Sequence, residues 1–334
     1  MPKLNVVVSA IHLLPTDLDD PDFPFAYCPN LAPAVVFCLL FALSTGLHIY
    51  QAIHYRKRFC WVIITAGATE TVSFAMRALA RYDISPQGFG IPAQVLSQCA
   101  PALINAYVYM VFGRLVYYFV PEKRVGKFNA RTIARGFVLL DWCIGGLQGA
   151  GSAIANIGPG NPDLIPDGNP IKNLNRIGVI LFLTGLAFQQ LGVLVFSGVA
   201  IYVHLKLQDM KNQRDYRPTD WRKIIWPLYG AVSLITDRFV FRLVEFSNYP
   251  NTSYSTHETA YYVLDAGAMA LCLFMFNLFH PGAVLVGDES EYPKKGRDRE
   301  QIQSSEEIEL AGATARQDVS RTSNANNENE VDRS

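Results

Sequence analysis

Seven stretches of about 20 or more mostly apolar residues follow one another along this chain, and few folds can absorb that pattern. They run over 31–55, 59–80, 92–119, 132–155, 176–203, 224–247 and 258–280. A backbone surrounded by hydrocarbon must satisfy its own hydrogen bonds, so each stretch is expected to be a helix. Prolines and glycines inside the runs (Pro101, Pro227, Gly145, Gly146, Gly185) do not argue against this, because membrane helices tolerate both. Apolar residues make up 50% of the chain and charged residues 17%, both displaced from ordinary soluble usage toward the membrane class. The predicted fold class is an all-α membrane protein with seven transmembrane helices.

The connecting segments predict an orientation. Eighteen Lys and Arg residues fall on one side, in the loops after the first, third and fifth spans and in the early tail, against four on the other. The positive-inside bias then puts the N-terminus outside and the C-terminus in the cytoplasm, as an odd number of spans requires. The chain divides into an extracellular segment 1–29, a seven-helix domain 30–282 and a polar, aromatic-poor tail 283–334 with the composition of a disordered cytoplasmic segment. The sequence's one N-x-[ST] acceptor, Asn251, falls in a loop assigned outside, where it is a candidate glycosylation site. Cys28 and Cys99 are placed near the same membrane face and are the candidates for a bridge, if their backbones approach closely enough.

What singles this chain out is charge inside the apolar runs. In LITDRFVFRLVEFSNYP, Asp237, Arg238, Arg242 and Glu245 interrupt an otherwise apolar span. A charge at the bilayer centre costs about 2.5–3.5 kcal/mol on insertion scales, so such side chains are expected to turn toward other helices. At about 100° per residue, Arg238, Arg242 and Glu245 form one stripe, with Asp237 a quarter-turn aside. Three further pairs are spaced seven apart, which returns a side chain to the same face about 10 Å along the axis. They are Glu70 with Arg77, Asp141 with Gln148, and Glu258 with Asp265. Asn105, Tyr109 and Gln189 add polar groups from the third and fifth spans. Interhelical ion pairs that fix packing are one reading. A polar cavity open to one face, taking a ligand with a charged head and an apolar body, is the other. Buried membrane charges often serve both ends.

Several chemistries lack their signatures. The sequence contains no G-x-x-x-x-G-K-[ST] phosphate loop and no HExxH, its six histidines form no metal-spaced cluster, and the seventh span has no lysine for a retinal Schiff base. Neither a cofactor nor a metal is expected. The zero net charge implies no nucleic-acid partner. Carboxylates without a recognisable nucleophile and neighbouring base argue against an intramembrane enzyme. The small residues of GGLQGAGSAIA suit close approach of the fourth helix to a neighbour.

Taken in order, these residues resemble the fungal lipid-translocating exporter family, the RTA-like seven-helix membrane proteins, over about 27–282. The resemblance is carried by Tyr27-x-Pro29, Glu70 with Arg77, Ala100-Pro101 through Ala106 and Tyr109 to Gly113-Arg114, and Asp141 with Gln148 and Gly151. It continues through Gly185-Leu186 with Gln189, Arg238 with Arg242 and Glu245-Phe246, Glu258 with Tyr262 and Asp265, and His280-Pro281-Gly282. Ser73-Phe74 stands where the family usually has Gly-Tyr. The resemblance implies export or flipping of sphingoid long-chain bases or lipid-like toxic compounds at a fungal plasma membrane, with membrane lipids and amphiphilic small molecules as partners. A seven-helix receptor for a lipid-like ligand shares the topology. It is disfavoured by Phe112-Gly113-Arg114 where an Asp/Glu-Arg-Tyr triplet would stand, and by the absence of Asn-Pro-x-x-Tyr in the last span.

Overall fold

The computed structural model describes residues 30–80, 86–155, 169–210, 221–247, 258–287 and 292. Its long helices are α1 Leu31–His54, α2 Trp61–Leu79, α3 Pro86–Phe119, α4 Ala130–Ala155, α5 Pro170–Met210 and α6 Arg222–Ser247. The last span, α7, joins a turn of α-helix Glu258–Ala260, a π-helical stretch Tyr261–Ala266 and an α-helix Gly267–Leu278. Seven helices among the described residues are long and apolar enough to cross a membrane.

Local chemistry sets the helix ends. Asn30 caps α1 by accepting from the Ala32 amide at 3.4 Å, and Asn169 does the same for α5, accepting from Ile171 N at 3.0 Å. Pro170 then occupies the first helical position, where a missing N–H costs nothing. This capping pair starts α5 six residues before the expected 176, and the polar run HLKLQDM carries it on to Met210. Its 41 residues span about 60 Å, so its ends project beyond a hydrocarbon layer of about 30 Å. α3 likewise begins at Pro86 rather than 92, with Pro92 and Pro101 both taken into the helix. Between α3 and α4 a two-residue hairpin pairs Arg124 with Asn129 and Val125 with Phe128. Gly126 occupies the left-handed region at φ 56°, where it carries no side-chain penalty.

α3 is the central element. Ile104, Tyr107, Val111 and Leu115 are all fully covered, and α1, α2, α6 and α7 supply Phe41, Ile63, Ile225, Leu228 and Leu273 around it. The outward faces are apolar instead: Leu39, Leu43, Ile53, Leu139, Trp142, Leu191, Leu205, Val263 and Leu278 are exposed. An apolar exterior of this extent around buried Arg, Asp and Glu side chains suits lipid rather than water as the surrounding medium.

α4 and α5 cross at very short range. A Cβ on Gly151 would meet Phe182 N at 2.6 Å, and one on Gly178 would collide with the Ala155 and Gly151 backbones. The small-residue segment therefore does bring α4 against a neighbour, through Gly151. Gly145, Gly146 and Gly149 face open space. The segments 1–29, 248–257 and most of 288–334 lie outside the described residues, and with them Cys28 and Asn251; Cys99 is an exposed free thiol.

Candidate functional site

The polar residues inside the bundle separate into two groups. The first joins α2, α6 and α7. Asp265, 2% exposed, lies between two guanidiniums: Arg238 Nε approaches its Oδ1 at 2.5 Å and Arg242 Nη2 donates to its Oδ2 at 2.5 Å. Arg242 Nη1 also donates to Glu245 Oε2 at 3.0 Å, one turn further along α6. The helical stripe expected for Arg238, Arg242 and Glu245 is therefore present, and it faces α7. Asp237, a quarter-turn aside, does not turn toward another helix as expected: it is exposed.

Two tyrosines from the π-helical stretch complete this group. The Arg77 guanidinium lies over the Tyr261 ring at 4.4 Å and that of Arg242 at 5.4 Å, so one aromatic ring serves two cations. The Tyr261 hydroxyl reaches Ser97 Oγ at 3.3 Å, linking α7 to α3. Tyr262 packs on Phe37 of α1, with ring centroids 5.3 Å apart, and on Phe74. Within the π-helical stretch Tyr261, Tyr262 and Asp265 are all buried. Glu70, 3% exposed, sits in the electrostatic field of Asp265, Arg238 and Arg242. Arg238 Nη2 is a buried donor without an acceptor among the described residues. Glu258 stands apart at the start of α7, where its Oε1 accepts from the Asn30 amide at 2.6 Å and ties α7 to the first turn of α1.

The second group joins α3, α4 and α5. Asn105 Nδ2 donates to Asp141 Oδ2 at 2.8 Å, and Tyr109 and Gln189 hydrogen-bond to the same carboxylate. Gln148 Nε2 donates to Gln189 Oε1 at 2.6 Å. Gly185 lets this happen, because a Cβ there would press on Gln148 Cγ at 2.5 Å. The seven-residue spacing of Asp141 and Gln148 thus does place both on one face toward α5. Asp141 is not, however, among the carboxylates that neutralise Arg238 and Arg242. α4 packs on α3 and α5, so its carboxylate meets amides instead.

Sequence reasoning named both groups but missed Tyr261 and Ser97. Tyr261 lies four residues before Asp265, and that helical spacing was the signal that could have found it. Also unforeseen is a third network between α1 and α7. Asn277 Nδ2 donates to Ser44 Oγ at 2.6 Å, Gln51 donates to Asn277 O at 2.7 Å, and His48 contacts Leu273 O at 3.1 Å. Cys60 Sγ and His280 Nε2 are 3.4 Å apart close by. Ser73, at one of the departures from the family pattern, donates to Ala93 O at 2.7 Å, while Phe74 stacks between Phe37 and Phe41. An open cleft of about 470 Å³ beside the α1–α2 turn, lined by Ile49, Ile53, Arg56, Arg58 and Trp61, contains none of the candidate residues. Among the described residues no set of His, Cys, Asp and Glu side chains is placed to hold a metal ion.

Comparison with known proteins places this arrangement in a family. The family described as "RTA1 like protein" matches residues 63–288, from within α2 to just past α7. The chain belongs to that family. A relative from Emericella nidulans, named "Probable lipid transporter atnI", is 32% identical over 282 residues, covering 81% of this chain and 70% of the relative. The "Lipid-translocating exporter-like protein RTA1" of Leptosphaeria maculans is 25% identical and covers 80% and 53% respectively. "Protoporphyrin uptake protein 1" of Saccharomyces cerevisiae is 24% identical over 76% of this chain and 90% of its own length. No solved structure matches. The chain is accordingly an integral, multi-pass membrane protein of the RTA1-like family.

Proposed function

We propose that this chain is a translocase for amphiphilic lipids, that sphingoid long-chain bases and lipid-like toxic compounds are its substrates, and that it acts as a carrier rather than an enzyme. The observation that carries the reading is the ionic group between α2, α6 and α7, in a chain whose relatives are named for moving lipids and a porphyrin. Asp265 is neutralised by Arg238 and Arg242, while the buried Glu70 carboxyl lies in the field of this group and Arg238 Nη2 is a buried donor without an acceptor among the described residues. An amine beside a hydroxyl or phosphate offers the complementary pair. The amine would meet Glu70 and the oxygen would meet Arg238, while the exposed apolar flanks of α6 and α7 accept the hydrocarbon chain.

The ionic group packs as direct contacts, so head-group entry must part α6 from α7 or α2. The π-helical stretch supports such a movement, since its irregular winding sits at the contact itself. The distribution of Lys and Arg supports an N-terminus outside and a C-terminus in the cytoplasm, and likeness to a relative named an exporter supports the plasma membrane over the other endomembranes. One relative is named an exporter and another an uptake protein, so the names of the relatives support no single direction of movement.

The test is reconstitution of the purified chain in vesicles carrying a fluorescent sphingoid base, a phospholipid or a sterol. Faster transbilayer movement of the sphingoid base than of the sterol is expected, with Glu70→Gln and Glu245→Gln slowing it about tenfold, the equivalent of roughly one lost charge-assisted contact. Movement no faster than in empty vesicles for all three probes would overturn the reading. Unchanged movement in both variants would remove the ionic group from the path.

A further inference from the structure

The two polar groups differ in charge balance. Asp265 has two arginines on its oxygens, whereas Asp141, 3% exposed and well inside α4, has none. Its partners are Asn105 and Tyr109 from α3 and Gln189 from α5, and from its own helix Gln148 reaches it through Gln189. All are uncharged, and Tyr109 is the one titratable group among them. Other charges on these elements are engaged or distant. Arg114 of α3 lies over Phe59 at 4.2 Å. Arg135 is exposed, six residues earlier on a different face of α4. On α5, residues 178–200 carry no charge at all. Arg238 of α6 is held by Asp265. Asp141 makes no ion pair among the described residues.

A second observation lies in Asn105. Its Nδ2 serves the carboxylate, but its Oδ1 is buried without a donor. A half-turn of the amide reverses these roles: Oδ1 then faces Asp141 and accepts from a protonated carboxyl. The Asn105 side chain can thus hydrogen-bond the carboxyl in both its anionic and its neutral form. Around Asp265 no such exchange is possible, because guanidiniums only donate.

We propose that Asp141 is a reversible proton-binding site and that the proton it carries is exchanged once per transport cycle. The step forms one O–H bond on the carboxylate with a proton from water and breaks it again on release, with no other bond changed. The coupling to transport rests on the translocase reading above; the protonation itself does not.

Infrared difference spectra of the full chain in lipid, between mildly acidic and mildly alkaline buffer, test the site. The expected result is a protonated-carboxyl stretch that Asp141→Asn removes and Glu245→Gln leaves in place, with the midpoint moved by about one pH unit in Asn105→Ala. A spectrum without an Asp141-dependent band overturns the proposal, provided the variant keeps its helical circular dichroism; Asp141→Glu, which retains the band at a shifted frequency, secures the assignment. Vesicles with an imposed pH difference test the coupling. Sphingoid-base movement is expected to rise several-fold with the gradient in the natural chain and to be indifferent to it in Asp141→Asn. Equal gradient dependence in the two overturns the coupling. If no probe moves in any vesicle, the translocase reading fails while the infrared result still decides the proton site.

Discussion

The α6–α7 contact and the α3–α4–α5 contact solve one problem in opposite ways. Both bury a carboxylate within a membrane-spanning bundle. At the first, Asp265 is wedged between Arg238 and Arg242, and Arg242 reaches on to Glu245, so the charges are matched and geometrically committed. At the second, Asp141 is surrounded by the dipoles of Asn105, Tyr109 and Gln189 with no cation in contact. The comparison teaches that burial alone says little about a carboxylate's role. A matched charge is costly to unmatch and is therefore a packing element and a specificity element at once. A charge held by amides can be lost or regained with little rearrangement.

That contrast breaks most readily through single deletions. Asp265→Ala leaves two guanidiniums buried without their carboxylate, and a loss of about 3–5 kcal/mol is expected, read as a lower denaturation midpoint in detergent. Asp141→Ala strands only neutral groups, and a smaller loss of about 1–3 kcal/mol is expected by the same measurement. Equal losses would erase the distinction between the two sites.

The second group depends on how closely α4 and α5 approach. Gly178→Val places side-chain atoms where the backbones of Gly151 and Ala155 stand, and a backbone cannot rotate away. A cost of about 1–3 kcal/mol is expected, together with loss of the Gln148–Gln189 contact. The ion pairs of α6 and α7, on other helices, are expected to survive. Crosslinking between cysteines placed on α4 and α5, set against pairs on α6 and α7, distinguishes local from global disruption.

The smallest effect belongs to a third kind of charge, outside the membrane-spanning segments. Lys206 Nζ lies 2.8 Å from Glu122 Oε2 and holds that carboxyl below the ordinary glutamate range. A carboxyl lowered on folding stabilises the protein above the unfolded-state value, and the contribution is lost as pH falls through the folded one. The pair's contribution is therefore expected at neutral pH and gone in acid below the usual glutamate range. It is also expected to fade with added salt, because the pair is solvent-exposed. Comparing Glu122→Gln with the natural chain across acid pH and ionic strength checks both.

Much of the architecture was legible in the chain because hydrocarbon imposes few solutions. Runs of apolar residues of the right length fix seven helices, and charges that cannot face lipid mark the inward faces of α2, α4, α6 and α7. Asn169-Pro170 shows the limit of that reading. Hydropathy ends a span where apolar residues end, whereas a capping asparagine and an N1 proline begin the helix several residues earlier.

By itself, then, the sequence determined that the chain crosses the membrane as helices and which side chains must be shielded, because helical periodicity and the cost of burying charge act locally. Partnership was decided only by the tertiary structure. That Asp265 meets arginines and Asp141 meets amides follows from which helices touch and from the close Gly151–Gly178 crossing. Those are contacts between residues far apart in the chain, and nothing in the spacing of charges along one helix specifies the face that a different helix will present to it.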